Sequence, residues 1–178
     1  RKTRERYYGN KVYMRGLIEF SNVCRRNCLY CGIRAENRKV DRYRLTPEQI
    51  LECCKEGYAL GYKTFVLQSG EDSWYTVDRL TSIIKEIKRL FPDVAVTLSI
   101  GERDEEEYRA FFEAGADRYL IRHETASRSL YEKLHPGASF DNRRKCLWTL
   151  KKIGYQVGAG FMVGLPGQTN EDLVEDLR

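Results

Sequence analysis

The chain has 178 residues, 42% hydrophobic and 32% charged, enough for one domain with its own core. Acidic residues interrupt the basic runs in residues 1–15 and 34–44, so the net charge of +5 reads as a solvated surface and not a nucleic-acid site; no apolar run approaches the roughly 18 residues of a membrane span. With no signal or anchor visible, the six cysteines read as a reduced set in a cytoplasmic protein and not as a disulfide framework.

Gly16-Leu17-Ile18-Glu19-Phe20 is a short apolar run compatible with a buried strand. Cys24, Cys28 and Cys31 follow at the spacing C-x3-C-x2-C, with Tyr30 before the third, in a loop reaching to about Val40. Three thiolates from one short loop can converge on a single inorganic centre, but the set is incomplete. Iron-sulfur clusters are usually held by four cysteines, so a cluster here would keep one iron open to a non-protein ligand. A zinc site would need Cys53, Cys54 or His123 as fourth ligand. Cys53, Cys54 and Cys146 instead fall in helical patterns beside apolar residues, where a free Cys behaves as a small hydrophobe.

Thr46-Pro47-Glu48-Gln49 supplies an N-cap, Pro at the first helical position and Gln at N3, opening a helix that ends at Gly61. Residues 64–68 read as the second strand, with Ser69-Gly70-Glu71-Asp72 at its end. Val77, Leu80, Ile83, Ile84, Ile87, Leu90 and Phe91 then keep one apolar helical face. Residues 94–99 are the third strand, carrying Thr97 and Ser99, and 104–114 a helix with a capping box from Asp104 to Glu107. Residues 118–121 are the fourth strand, ending in Arg122-His123-Glu124-Thr125, before helical segments from about Ser127 and over 142–153. Residues 156–163 read as the fifth strand, and the turn from Gly164 leads to a last helix with Asn170 as N-cap.

Strands alternating with helices at this spacing give parallel βα units, which right-handed crossovers curl into a barrel or wind into an open doubly wound sheet. In either architecture ligands bind at the C-terminal ends of the strands. The cysteines, Gln68, Ser69, Glu71, Thr97, Ser99, Arg122, Glu124, Gly160 and Met162 all fall there, so one mouth is expected to collect them.

The cysteine spacing with its aromatic resembles the signature of the radical S-adenosylmethionine (SAM) enzymes. Ile18-Glu19-Phe20-Ser21-Asn22, Leu67-Gln68-Ser69-Gly70-Glu71-Asp72, Arg118-Tyr119-Leu120-Ile121-Arg122-His123-Glu124-Thr125 and Met162-Val163-Gly164-Leu165-Pro166-Gly167-Gln168-Thr169 narrow the resemblance. They are similar to the iron-iron hydrogenase maturases of that superfamily and to biotin synthase and methylornithine synthase. The resemblance implies an α/β fold, a parallel (β/α) barrel of the TIM-like type. About five βα units are present, as a radical SAM core domain over 1–178 cut at both ends; the absence of a starting Met and the stop inside a helical pattern agree.

The same resemblance implies that Cys24, Cys28 and Cys31 hold a 4Fe-4S cluster, whose reduced form cleaves SAM to methionine and a 5'-deoxyadenosyl radical. The resemblance implies SAM contacts for Ser69, Glu71, Glu124 and Arg143 and a substrate contact for Arg122; from their place at the mouth, Tyr30, Thr97, Ser99, Gly160 and Met162 are expected to bind SAM and Gln68 the substrate. Chemically, an acidic residue suits the SAM ammonium, an Arg fork its carboxylate, Glu124 the ribose hydroxyls, and the glycines a close approach to adenine. The implied partners are a small cysteine-derived, iron-containing precursor, an electron donor such as a flavodoxin or ferredoxin, and other hydrogenase maturases. Methylornithine synthase or biotin synthase chemistry is the alternative among enzymes, and a zinc-binding module the alternative outside them.

Overall fold

The computed structural model describes residues 1–178. A helix not expected from the sequence, α1 (Lys2–Tyr8), precedes β1 (Gly16–Ser21), and neither it nor its linker buries a residue. The alternation then runs α2 (Pro47–Ala59), β2 (Thr64–Ser69), α3 (Val77–Leu90), β3 (Ala95–Ser99), α4 (Glu105–Glu113), β4 (Arg118–Leu120), α5 (Arg128–Leu134), α6 (Phe140–Ile153), β5 (Gln156–Gly158) and α7 (Asn170–Asp176). No helix is long and apolar enough to cross a membrane.

The helix starts follow local chemistry. Thr46 Oγ1 accepts from the Gln49 N–H while Gln49 Oε1 accepts from the Thr46 N–H, closing the capping box of α2. Asp104 and Glu107 do the same for α4. At α7 the cap is Thr169 and not Asn170, because the Thr169 hydroxyl and the Asp172 carboxylate form the reciprocal box and leave Asn170 as the first helical residue. Helix α6 starts two residues earlier than expected, with Ser139 Oγ accepting from the Asn142 N–H.

The five strands form one parallel sheet in the order β1-β2-β3-β4-β5. A doubly wound sheet needs the order to reverse once; here it never does, so right-handed crossovers put the helical layer on one face and the sheet curls in the manner of a barrel. Helix α2 packs on α3, α3 on α4 and α4 on α6, in that sequence. Because α4 meets α6 directly, α5 lies outside the helical layer.

Strand alternation sorts the side chains by face. Ile18, Leu67, Leu98 and Tyr119 are paired across the sheet, buried, and packed with Phe65, Val96 and the apolar faces of α2, α3, α4 and α6. Each apolar residue buried there contributes on the order of 1.5–3 kcal/mol. Tyr108, Tyr119 and Tyr155 pack edge to face in this core at 5.0 and 5.7 Å, and each hydroxyl is satisfied by main chain. The opposite, concave face carries Leu17, Val66, Thr97 and Arg118 in one row and Glu19, Gln68 and Ser99 in the next. A bulge between Glu19 and Ser21 ends β1 and turns Ser21 toward Asp72, whose Oδ2 accepts from Ser21 Oγ at 2.7 Å.

Strand β5 is shorter than the expected 156–163. Past Gly158 the chain leaves the ladder and bonds to β4's extension by main chain where the Gly160 carbonyl accepts from the Glu124 N–H (3.0 Å) and the Met162 N–H donates back to the Glu124 carbonyl (2.9 Å).

Candidate functional site

The loop after β1 has almost no regular structure, yet it is closed by side chains. Arg42 donates to four main-chain carbonyls, Nη1 to Asn22 and Ile33 and Nη2 to Arg34 and Asn37, at 2.5–3.0 Å. Asn22 joins the two ends of the loop, its Nδ2 donating to Asp41 O and its Oδ1 accepting from the Tyr43 N–H. Arg44 then reaches back in a bidentate pair to Asp72 at 2.6 and 3.0 Å. Burial pushes the Asp72 carboxyl up, but Arg44, Ser21 and the Trp74 N–H together hold it below the usual carboxylate range.

Cys24, Cys28 and Cys31 are half-buried at the rim of a cavity of about 270 Å³ at the C-terminal ends of the strands. Cys24 Sγ accepts main-chain N–H bonds from Arg26 and Glu71, both at 3.4 Å. Such donors steady a thiolate ligand and tune a cluster. Gly70 leaves room for this: a Cβ there would lie 2.3 Å from the Val23 carbonyl oxygen and 2.6 Å from Cys24 Cβ. Tyr131, on α5, is fully buried with a hydroxyl that has no partner in the protein. Three thiols at the rim of one cavity, with main-chain donors already aimed at the sulfur of Cys24, fit a cluster held by three thiolates. The thiols of α2 do not join them. Cys53 is exposed, and Cys54 lies in the core, its thiol pushed up to about 12 by burial and so kept protonated.

The same cavity is lined by Tyr30, Gln68, Ser69, Glu71, Ser99, Arg122, Glu124 and Arg143, so the structure brings together most of the residues expected at the mouth. Thr97, Gly160 and Met162 are not among them. Thr97 sits one row deeper on the concave face, buried, its hydroxyl without a partner. Gly160 and Met162 lie behind Glu124, which they hold by main chain. His123 turns away to pack on Phe161 and approach Asp176.

Glu124 is the one non-glycine residue with positive φ, 68°. Few glutamates adopt that conformation, and here the two main-chain bonds to Gly160 and Met162 impose it. Its carboxyl is buried at the mouth; burial raises its pKa, while the charges of Arg122 and Arg143 work the other way.

Behind the cysteines runs a network that only part of the sequence reading anticipated. Glu71 Oε2 accepts from Arg25 Nε (3.0 Å) and Arg26 Nε (2.7 Å), and its Oε1 from the Glu102 N–H (3.0 Å). Glu102, 4% exposed, accepts from Arg26 Nη2, Asn142 Nδ2 and Arg143 Nε at 2.8–2.9 Å. Arg143 also donates through Nη1 to the Arg122 carbonyl and lines the cavity. Glu71 is therefore engaged by two arginines and an amide. Glu102 and Arg26 were missed, although the strand-end rule that singles out Glu71 also covers Glu102, three residues beyond Ser99. Glu19, whose Oε1 accepts from Gln68 Nε2 at 3.1 Å on the cavity floor, was missed because it looks like the polar residue of an alternating strand.

The Radical SAM superfamily model matches residues 18–178. The chain is 58% identical over 174 residues to the [FeFe] hydrogenase maturase subunit HydE of Thermotoga maritima, covering 98% of this chain and 49% of that protein. It is 32% identical over 180 residues to 3-methylornithine synthase of Methanosarcina acetivorans, all of this chain against 51% of that protein. The crystal structure of methylornithine synthase (PylB) superposes with a TM-score of 0.92 at 32% identity, covering 99% of this chain and 52% of that one. The chain thus spans about half the length of the curated relatives it matches. The cysteine loop, the sequentially wound sheet and these matches agree: the chain belongs to the radical SAM superfamily, whose cofactors are a 4Fe-4S cluster and SAM.

Proposed function

We propose that this chain is the radical SAM core of an iron-iron hydrogenase maturase of the HydE type. The observation that carries the reading is the 58% identity to HydE over nearly the whole chain, against 32% to methylornithine synthase. The cluster supplies the electron that cleaves SAM. Cys24, Cys28 and Cys31 hold that cluster, and the other side chains of the mouth hold and orient what binds beside it.

Arg143 lines the cavity with a partly free guanidinium, suited to the SAM carboxylate. Glu124, kept in position by its main-chain bonds, suits the ribose hydroxyls. Tyr30, Ser69 and Ser99 add contacts around the rim, whereas Glu71 acts mainly by fixing Arg25 and Arg26 behind the loop. Gln68 and Arg122 face the same cavity and are assigned to a small-molecule substrate; Glu19 orients Gln68. A reduced flavodoxin or ferredoxin as electron donor, cooperation with other hydrogenase maturases and a cytoplasmic location complete the reading.

The test is anaerobic reconstitution followed by two turnover assays. Iron and sulfide near four each per chain and 5'-deoxyadenosine formation from SAM support the radical SAM assignment; a colourless protein binding one zinc would overturn it. Restored hydrogenase maturation in an extract lacking the maturase supports the finer assignment. Turnover of lysine without such restoration would make the protein a methylornithine synthase.

A further inference from the structure

The short helix α5 lies outside the helical layer, and its last turn holds the tip of the cluster loop. The Leu29 N–H donates to the Leu134 carbonyl at 2.9 Å, and Tyr30 Oη lies 2.8 Å from His135 Nε2. Leu29 and Tyr30 are the two residues between Cys28 and Cys31. The arm of the loop that sets the separation of the second and third thiols is thus tied by one main-chain and one side-chain bond to two consecutive residues about a hundred positions later.

The proton positions follow from the partners. His135 Nδ1 lies 2.8 Å from the Tyr131 carbonyl oxygen, which can only accept, so Nδ1 carries the proton. Burial lowers the ring's pKa and keeps it neutral. Nε2 is then the acceptor, and the Tyr30 hydroxyl donates to it. The imidazole cannot swing, because it is 1% exposed, stacked on Tyr131 at 4.0 Å and 18°, and met edge-on by Tyr30 at 5.4 Å.

The choice of residue has a physical reason. A cluster with three thiolates is anionic and the buried Glu124 carboxyl already stands near Tyr30, so a further carboxylate accepting from Tyr30 would add another negative charge there. A neutral imidazole supplies the acceptor without the charge, and its second nitrogen is fixed by main chain, as in the outer shell of a metal site. We propose that His135 is a positioning residue for the cluster, holding Tyr30 and with it the Cys28–Cys31 arm in the geometry that receives iron. The inference rests on the radical SAM reading above.

The test compares Tyr30→Phe, His135→Gln, His135→Ala and the Tyr30→Phe/His135→Ala double variant of the full chain, each reconstituted anaerobically with iron and sulfide. The readouts are the rate at which an iron chelator bleaches the cluster and the thermal midpoint of the cluster-free protein. Tyr30→Phe empties no core space but leaves the buried His135 Nε2 without its donor, so its cluster-free protein should melt a few degrees lower, which His135→Gln should not, while its cluster is lost roughly 2- to 10-fold faster. His135→Ala should lose the cluster at least as fast, and the double variant no faster than His135→Ala alone, since the bond can be removed only once. His135→Gln, whose amide oxygen can still accept from Tyr30, should recover most of the wild-type rate.

A Tyr30→Phe cluster as persistent as the wild type, or effects of the single variants that multiply in the double, would overturn the positioning role while leaving the radical SAM reading intact. Wild-type protein that takes up no four-iron cluster would overturn both.

Discussion

Glu102 is the residue whose removal tests the electrostatic account of the site most directly. Its carboxylate accepts from Arg26, Arg143 and Asn142, and the side chains of Arg143 and Arg26 are only 11% and 23% exposed. Glu102→Gln keeps the shape, but one acceptor becomes an NH2 facing guanidinium donors, and two partly buried cations lose their shared counter-charge. Breaking a buried pair by removing one partner costs roughly 3–5 kcal/mol. Because Arg26 keeps Glu71 as a second partner, the lower half of that range is expected. At roughly 2–4 °C per kcal/mol for a chain of this size, the melting temperature should fall by roughly 6–16 °C. Urea denaturation of the cluster-free protein measures the free energy directly. Glu86→Gln, which removes an exposed pair with Arg89, serves as control and should leave the midpoint where it is. A Glu102→Gln variant within about 1 kcal/mol of wild type, below the range for a broken buried pair, would show that solvent reaches this network and that the arginines do not depend on it.

Glu124→Gln should pull stability and binding in opposite directions. The carboxyl's folded pKa is raised, so the folded state is penalised once pH exceeds the unfolded value and unpenalised below it. The Gln protein should melt higher at pH 7–8, with the gap closing toward pH 4, while SAM titration followed by electron paramagnetic resonance should show affinity weakened by roughly 1.5–3 kcal/mol. Asp72 runs the other way: its folded pKa lies below the ordinary value, so its stabilisation is present above that value and is lost as pH falls through the folded one. Arg44→Gln should therefore raise the pH at which the protein acid-unfolds, read by circular dichroism. Cys28→Ala should abolish cluster retention, whereas Cys54→Ala should keep the iron and lose about 1 kcal/mol of stability; iron lost from the Cys54 variant and kept by the Cys28 variant would reverse the ligand assignment.

The alternation of strands and helices, the capping boxes at Thr46 and Asp104 and the cysteine spacing were legible in the sequence because each depends on neighbours a few residues apart. So was the rule that polar strand ends meet in one mouth, which places Gln68, Ser99, Arg122 and Glu124 correctly from parallel topology alone. The barrel-like curl was open until the strand order was known, since nothing local to a βα unit says on which side the next strand adds. Tertiary structure also decided which strand-end residues face the cavity. Thr97 differs from Ser99 only by one pleat of depth, and Gly160 and Met162 became the backbone support of Glu124 once β5 left the ladder after Gly158. The partners of the cluster loop lay furthest from sequence reasoning. Arg26 meets Glu102, Arg143 meets Glu102, and Tyr30 meets His135 across 76, 41 and 105 residues. A charge or an imidazole carries no local pattern, and its role is set by what the fold carries to within about 3 Å of it, the reach of a hydrogen bond.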